Sequence, residues 1–315
     1  MKEAIKKVSV IGTGVIGNGW IARFLAQGYD VTAFDPAEGA EERTRKAIDH
    51  AWTSLEKRGL APDASKDRLT FKDDLAEAVA DADYIQENVP EREELKKNVL
   101  NTIDQHAKPE AMIGSSTSGI IPSILQAGMK HPERFFVAHP FNPVYLLPLV
   151  EVIGGKKTNG AVIEMANKFF ESIDMKPLVL HKEIDGHVAD RLMEALWREA
   201  LHLVNDGIAT TEEVDKAIIY GAGLRWAQMG PFLTFHLAGG EQGMRHMLEQ
   251  FGPALKLPWT KLEAPELTDE LKERVIAGCE SYAGDQSVAE LEAKRNEFLV
   301  KLLDLVEEYW PESKQ

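Results

Sequence analysis

The chain has 315 residues, enough at about 100–200 per domain for two domains, each able to bury a core without disulfide or metal staples. Its 51 carboxylates against 36 lysines and arginines leave a net charge of −15, which argues against a nucleic-acid binder and against attraction to anionic lipid. The single cysteine, Cys279, cannot make an internal disulfide, the N-terminal apolar run is too short for a secretion signal, and no stretch approaches the ~18 apolar residues of a membrane helix, so a cytoplasmic protein is expected.

The chain opens with a β-prone run over residues 7–11 that closes on Gly12-Thr13-Gly14-Val15-Ile16-Gly17. An apolar-periodic segment over 20–26 follows, then Gly28 and a second β run, 30–34, ending at Asp35-Pro36. Strand, glycine turn, helix and strand in about 30 residues is the pattern of a parallel βαβ unit. Residues 38–60 read as a long polar helix, and alternation continues with a strand at 69–71, a helix over 75–80, a strand at 83–87 and a helix over 93–106. A strand at 111–114 leads into a Ser/Thr-rich turn, 115–119, and strands at 134–138, 149–153 and 176–180 complete a mixed sheet. Beyond residue 182 the pattern changes: 185–205 reads as one long helix opened by Gly186, and helical patterns broken by Gly/Pro turns fill the rest. The order predicts an α/β domain over 1–183 and an all-α domain over 184–315.

Gly12-x-Gly14-x-x-Gly17 between a strand and a helix is the arrangement that cradles a pyrophosphate. The first glycine permits the tight turn, the second lets the backbone approach the phosphates, and the third lets the helix pack on the strand. Asp35, at the end of the second strand, stands where a carboxylate accepts from the adenosine ribose hydroxyls. That charge would repel a 2′-phosphate, and no arginine follows it, so NAD is expected over NADP in a Rossmann-type domain.

His139 ends an apolar strand and is followed by Pro140-Phe141-Asn142-Pro143, at the sheet edge where α/β folds bind ligands. Glu151 sits inside an otherwise apolar strand and needs a partner if it is buried. A His139–Glu151 pair suits general base catalysis: the carboxylate orients the imidazole, and the ring takes a proton as hydride leaves a carbinol carbon. From spacing alone, a satisfied core histidine beside an outward-facing glutamate is the more frequent arrangement. Ser118 could donate to a substrate oxygen or simply belong to a polar turn. No Gly-x-Ser-x-Gly elbow and no His-Glu-x-x-His pair is present, so neither a serine nucleophile nor a metal is expected.

Six segments carry a resemblance: Ile85-Gln-Glu-Asn-Val-Pro-Glu91, Gly114-Ser-Ser-Thr-Ser-Gly119, the run from Ala138-His-Pro-Phe-Asn-Pro to Glu151, Asp190-Arg-Leu-Met-Glu-Ala-Leu-Trp197, Trp226-Ala-Gln-Met-Gly-Pro-Phe232 and Gly239-Gly-Glu-Gln-Gly-Met-Arg-His246. With them the chain resembles, from end to end, the 3-hydroxyacyl-CoA dehydrogenase superfamily, and the Trp197 and Trp226 segments are similar to its carnitine-oxidising branch. The resemblance implies an NAD-dependent oxidoreductase and a homodimer. It implies His139 as base with Glu151 as its orienting partner, and Ser118 and Asn142 in contact with substrate and nicotinamide. Glu91 and Lys96 would lie near the nicotinamide ribose and Asp35 on the adenosine ribose. Asp190-Arg191-Leu192 departs from the Asn-Arg-Leu of many hydroxyacyl enzymes, and a carboxylate donates to an alkoxide only when protonated.

Carnitine carries a quaternary ammonium, which offers no hydrogen-bond donor and must be met by aromatic faces or a carboxylate. Phe141 is the aromatic best placed for it, ahead of Phe251, Trp226 and Trp197, each of which also suits a core role; Asp190 could supply negative field. Ser118, Arg191 or Arg198 could meet the substrate carboxylate. A charge of −15 is easier to reconcile with a zwitterion than with a polyanionic CoA ester. Other members of the superfamily act on 3-hydroxyacyl-CoA or on gulonate, and lens crystallins keep its fold and NAD site without turnover; intact His139 and Glu151 speak against the last.

Overall fold

The computed structural model describes residues 5–227, 229–239, 243–253, 257–261 and 288–309, with 266, 268–271, 273 and 285. Strands β1 (Lys7–Ile11), β2 (Asp30–Phe34), β3 (Leu69–Phe71), β4 (Tyr84–Glu87), β5 (Met112–Ser115) and β6 (Phe135–Pro140) run parallel to one another. Parallel neighbours need a crossover, and α1 (Val15–Ala26), α2 (Ala40–Arg58), α3 (Leu75–Val79), α4 (Glu93–His106) and the single turn α5 (Pro122–Leu125) lie between them in the chain. The link from β6 to β7 (Leu149–Gly154) is too short for a helix, and β7 accordingly pairs antiparallel with β6. After α6 (Gly160–Ser172), β8 (Lys176–Val179) returns parallel to β7, giving an eight-stranded sheet of order β3-β2-β1-β4-β5-β6-β7-β8.

Two core layers cover the sheet. One is aromatic: Trp20 stacks on Phe24 at 5.3 Å, and Tyr84, Phe136, Phe169 and Phe170 pack around them. The other is aliphatic, built from Ile85, Leu100, Ile103, Ile113 and Leu125 with Phe135. With helices on both faces every residue of β6 is buried, which is why it reads as an apolar run rather than an alternating one. The strand order reverses between β1 and β4, and the carboxyl ends of the strands on either side of that point form the ligand-binding edge of such sheets.

The chain divides into two compact units, Met1–Asp190 and Arg191–Gln315, the division falling in the first turn of α7 (Ala189–Asn205). The second unit is helical among its described residues. It continues with α8 (Thr211–Ala217), opened by a Thr210–Glu213 capping box, a π-helical turn at 218–222, α9 (Gly223–Trp226), α10 (Pro231–Ala238), α11 (Gly243–Phe251) and α12 (Val288–Tyr309).

Three details differ from the sequence expectation. Helix α1 starts at Val15 rather than at the apolar stripe from Trp20, because the glycine turn itself feeds the first helical turn. Helix α6 is absent from the sequence reading, although Asn159 caps it and Val162, Ala166, Phe169 and Phe170 form its buried stripe. Helix α7 begins at Ala189, not at 185, because Gly186 (φ 69°) and His187 (φ 48°) are left-handed and break any helix through them.

Candidate active site

The glycine turn sits at the carboxyl end of β1, against that of β4. Gly12 has φ 87°, and a Cβ there would lie 2.9 Å from the Asn88 backbone. A Cβ on Gly17 would fall 1.9 Å from the Gly12 carbonyl oxygen, so only glycine lets α1 pack on its own turn. Gly14 is the opposite case, with nothing among the described residues within 4 Å of a Cβ. It is the N-cap of α1, no side chain caps the helix, and its first turn holds no acidic residue. The first-turn amides and the positive helix end are thus offered to an anion beside open space. Asp35 Oδ2 accepts the Thr13 amide at 2.8 Å and Oδ1 the Ala37 amide at 2.9 Å, which fixes the carboxylate at the end of β2 with lone pairs left for a diol. These residues fit a dinucleotide: Gly12–Gly17 would hold its pyrophosphate and Asp35 its adenosine ribose.

His139 on β6 and Glu151 on β7 are direct cross-strand partners in the antiparallel register. Both are buried, and His139 Nδ1 lies 3.0 Å from Glu151 Oε2. A carboxylate oxygen accepts only, so the network assigns the imidazole proton to Nδ1 and leaves the Nε2 lone pair on the other side of the ring. The second oxygen, Oε1, accepts the amides of Val188 (2.8 Å) and Ala189 (3.0 Å) at the start of α7. Burial pushes the Glu151 carboxyl up, but the bonds from His139 and from these two amides outweigh it and hold the group below the usual carboxylate range. Asp190 Oδ2 stands 3.6 Å from His139 Nε2, and the Phe141 ring meets the imidazole edge-on at 5.6 Å.

The turn after β5 is tied from several directions. Ser115 Oγ donates to the buried Glu87 at 2.5 Å, and Ser116 Oγ receives the Trp20 indole N–H at 3.1 Å and donates to Asn88. Glu91 Oε1 accepts from Thr117 Oγ1 and from the amides of Ser118 and Gly119. Burial raises the Glu91 carboxyl, yet these bonds and the nearby Lys96 ammonium bring it below its ordinary value. Ser118 itself is exposed at the head of the turn.

The structure therefore gathers His139, Glu151, Asp190 and Phe141 around one imidazole. Lys96 is buried behind the end of β4: it is 1% exposed, and its ammonium donates to both oxygens of Glu87 (2.9 and 3.2 Å) and to the Val89 carbonyl. It holds the end of β4 and reaches Glu91 Oε2 at 3.5 Å. Asn142 is exposed just past β6. Trp197 and Trp226, together with Arg191 and Arg198, belong to the second unit, where both tryptophans are exposed rather than core. The Phe251 side chain and Cys279 lie outside the described residues.

Sequence reasoning missed two groups. Arg23 is buried in α1 and donates to the carbonyls of Val144, Ile173, Asp174 and Leu147, pinning the loop that carries Phe141 and Asn142. Burial brings its pKa down to about 10, and Asp174 offsets only part of that. Its signal was an arginine inside the apolar stripe of a helix. The other is His187, fully buried against the site, whose signal was a polar ring directly after Gly186.

Residues 7–184 match the family described as 3-hydroxyacyl-CoA dehydrogenase, NAD binding domain, and residues 186–277 match its C-terminal domain. An L-carnitine dehydrogenase of Oceanobacillus iheyensis is 73% identical over 98% of this chain and all of its own length. One from Bacillus cereus is 69% identical over 98% of this chain and 95% of its own. Among solved structures, a 5-formyl-3-hydroxy-2-methylpyridine 4-carboxylic acid 5-dehydrogenase, an NAD+-dependent dismutase, aligns with a TM-score of 0.81 at 30% identity, covering 96% of this chain and 99% of that one. Glycine cradle, His–Glu pair and these matches converge: the chain belongs to the 3-hydroxyacyl-CoA dehydrogenase family and is an NAD-dependent dehydrogenase acting on a CH–OH group.

Proposed function

We propose that this enzyme oxidises the 3-hydroxyl of L-carnitine to 3-dehydrocarnitine, with His139 as general base, Glu151 as its support, and NAD preferred over NADP. The observation that carries the chemistry is the buried 3.0 Å His139–Glu151 contact at the carboxyl edge of the sheet that also bears the glycine cradle. The substrate follows from the full-length identity to the carnitine enzymes.

Bound NAD supplies the hydride acceptor. His139 Nε2 takes the hydroxyl proton, and Glu151 holds the Nδ1 proton and stabilises the imidazolium that forms. The amides of Val188 and Ala189 keep Glu151 ionised, so the carboxylate does not take the proton itself. Ser118, at the head of the adjoining turn, would donate to the substrate oxygen. Asp190, on the Nε2 side, and Phe141, edge-on to the imidazole, suit a substrate that carries a permanent cation. We further propose a homodimer formed through the helical second unit, and a cytoplasmic location.

Following NADH absorbance with L-carnitine, D-carnitine, 3-hydroxybutyryl-CoA and gulonate tests the assignment. L-carnitine is expected to turn over, faster at alkaline pH because a proton is released. No turnover of L-carnitine, or a larger kcat/KM for the CoA ester, would overturn it. Replacing the base, His139→Ala, should abolish turnover while NAD still binds; surviving activity would remove His139 from its role.

A further inference from the structure

His187 has no part in the steps above, yet it stands between their components. Its side chain is fully buried and its ring centroid lies 5.2 Å from that of His139. Nε2 is 3.0 Å from the carbonyl oxygen of Thr117. A carbonyl accepts only, so Nε2 carries a proton and donates. Nδ1 is buried without a hydrogen-bond partner among the described residues.

That single bond fixes the group whose placement matters most. The carbonyl of the Thr117–Ser118 peptide is held by His187, and the amide of the same peptide by Glu91 Oε1 at 3.1 Å. With both ends tied, the plane from which Ser118 departs cannot rotate. The next two residues after His187 reach the other half of the site: the amides of Val188 and Ala189 bind Glu151, which in turn binds His139. One three-residue segment therefore grips the Ser118 turn with a side chain and the His139–Glu151 pair with its backbone. His187 has a left-handed φ of 48°, uncommon outside glycine though enriched in Asn, Asp and His, and from it the ring and the two following amides face these two targets. A residue there only to fill space would need no donor, and an apolar ring would leave no orphaned nitrogen.

We propose that His187 is a positioning residue that sets the Ser118 peptide relative to His139, donating from its Nε2–H to the Thr117 carbonyl. The inference rests on His139 being the base of the proposed reaction. It does not rest on the substrate, so the test uses whichever of the four substrates above the wild type oxidises.

The test compares His187→Phe, which keeps a ring without the donor, with His187→Gln, whose side-chain N–H can reach the Thr117 carbonyl. Displacing a reacting group by about 1 Å costs up to ~100-fold in rate. His187→Phe is therefore expected to lower kcat at least ~10-fold, with the Kd for NAD within about twofold of wild type. His187→Gln should recover most of that loss. A ring that merely stabilised the fold would lower Tm in both variants and leave kcat per folded molecule unchanged. Histidine 15N spectra supply a second measurement: among the nine histidines, the ring whose signals vanish in His187→Phe should be protonated on Nε2. Wild-type kcat in His187→Phe, equal kcat losses in Phe and Gln variants, or the absence of that Nε2-protonated signal would each overturn the proposal.

Discussion

The two oxygens of Glu151 face different partners, and this makes the residue the most informative single position to change. Oε2 meets His139 and Oε1 meets two backbone amides, so Glu151→Gln keeps the shape and removes the charge from both. A neutral amide no longer stabilises the imidazolium, and kcat should fall by about 10²–10⁴, the range of general acid–base contributions, while NAD affinity stays as it was. The folded-state pKa of Glu151 lies below its unfolded value, so its stabilisation is complete above the unfolded pKa and lost as pH falls through the folded one. The gap in Tm between wild type and Glu151→Gln should therefore be full at pH 7 and close below about pH 4, the ordinary carboxylate range. A gap independent of pH would deny the carboxylate its charged role. Lys96 predicts differently because it is a counter-ion inside the fold. Lys96→Met strands Glu87 as a buried charge and should cost about 3–5 kcal/mol in denaturant melts, much of it restored by adding Glu87→Gln.

At the scale of elements, the glycine turn separates folding from cofactor binding within one motif. Gly17→Ala places a methyl against the Gly12 carbonyl and must displace α1 from β1, so both Tm and NAD affinity should drop. Gly14→Ala meets no described atom, so its Tm should stay near wild type; its NAD affinity alone should fall, because the methyl enters the space offered to the pyrophosphate. Calorimetric melts and NAD titration of the two variants check this, and equal losses of affinity and Tm at Gly14 would contradict it. The same element shows what a sequence displays. Strand ends were legible, but spacing alone did not pair His139 with Glu151; the hairpin that a short link after β6 forces is what sets those two residues opposite each other. The true start of α7 was not legible. It depends on left-handed backbone at Gly186 and His187, and the reason for that geometry is the distant Thr117 carbonyl and Glu151. Helix α6 is less legible for a simpler reason: its apolar stripe is diluted by exposed polar positions and sits between two β runs.

At the scale of the whole molecule, the second unit raises a question of cover that the first does not. On α7, Leu192, Met193, Leu196 and Trp197 lie on one helical stripe and all are exposed, Trp197 by 51%. Helix α10 is apolar around most of its circumference, and Phe232 is 83% exposed, with Leu233, Phe235 and Leu237 exposed beside it. Soluble chains rarely leave contiguous apolar surface of this kind to water, and at about 25 cal/mol per Å² its burial is a strong drive to associate. Sequence periodicity announced long helices here but not which faces stay uncovered, since an apolar stripe looks the same whether it packs on its own chain or on another. The proposed homodimer uses these faces, and a charge placed on each should abolish it. Sedimentation of the wild type is expected at the mass of two chains, and of the Trp197→Glu/Phe232→Glu double variant at the mass of one. NAD binding should be retained in that variant, because the cradle is built wholly within the first unit. A double variant that still sediments as a pair, or a monomeric wild type at micromolar concentration, would remove these faces from the proposed interface.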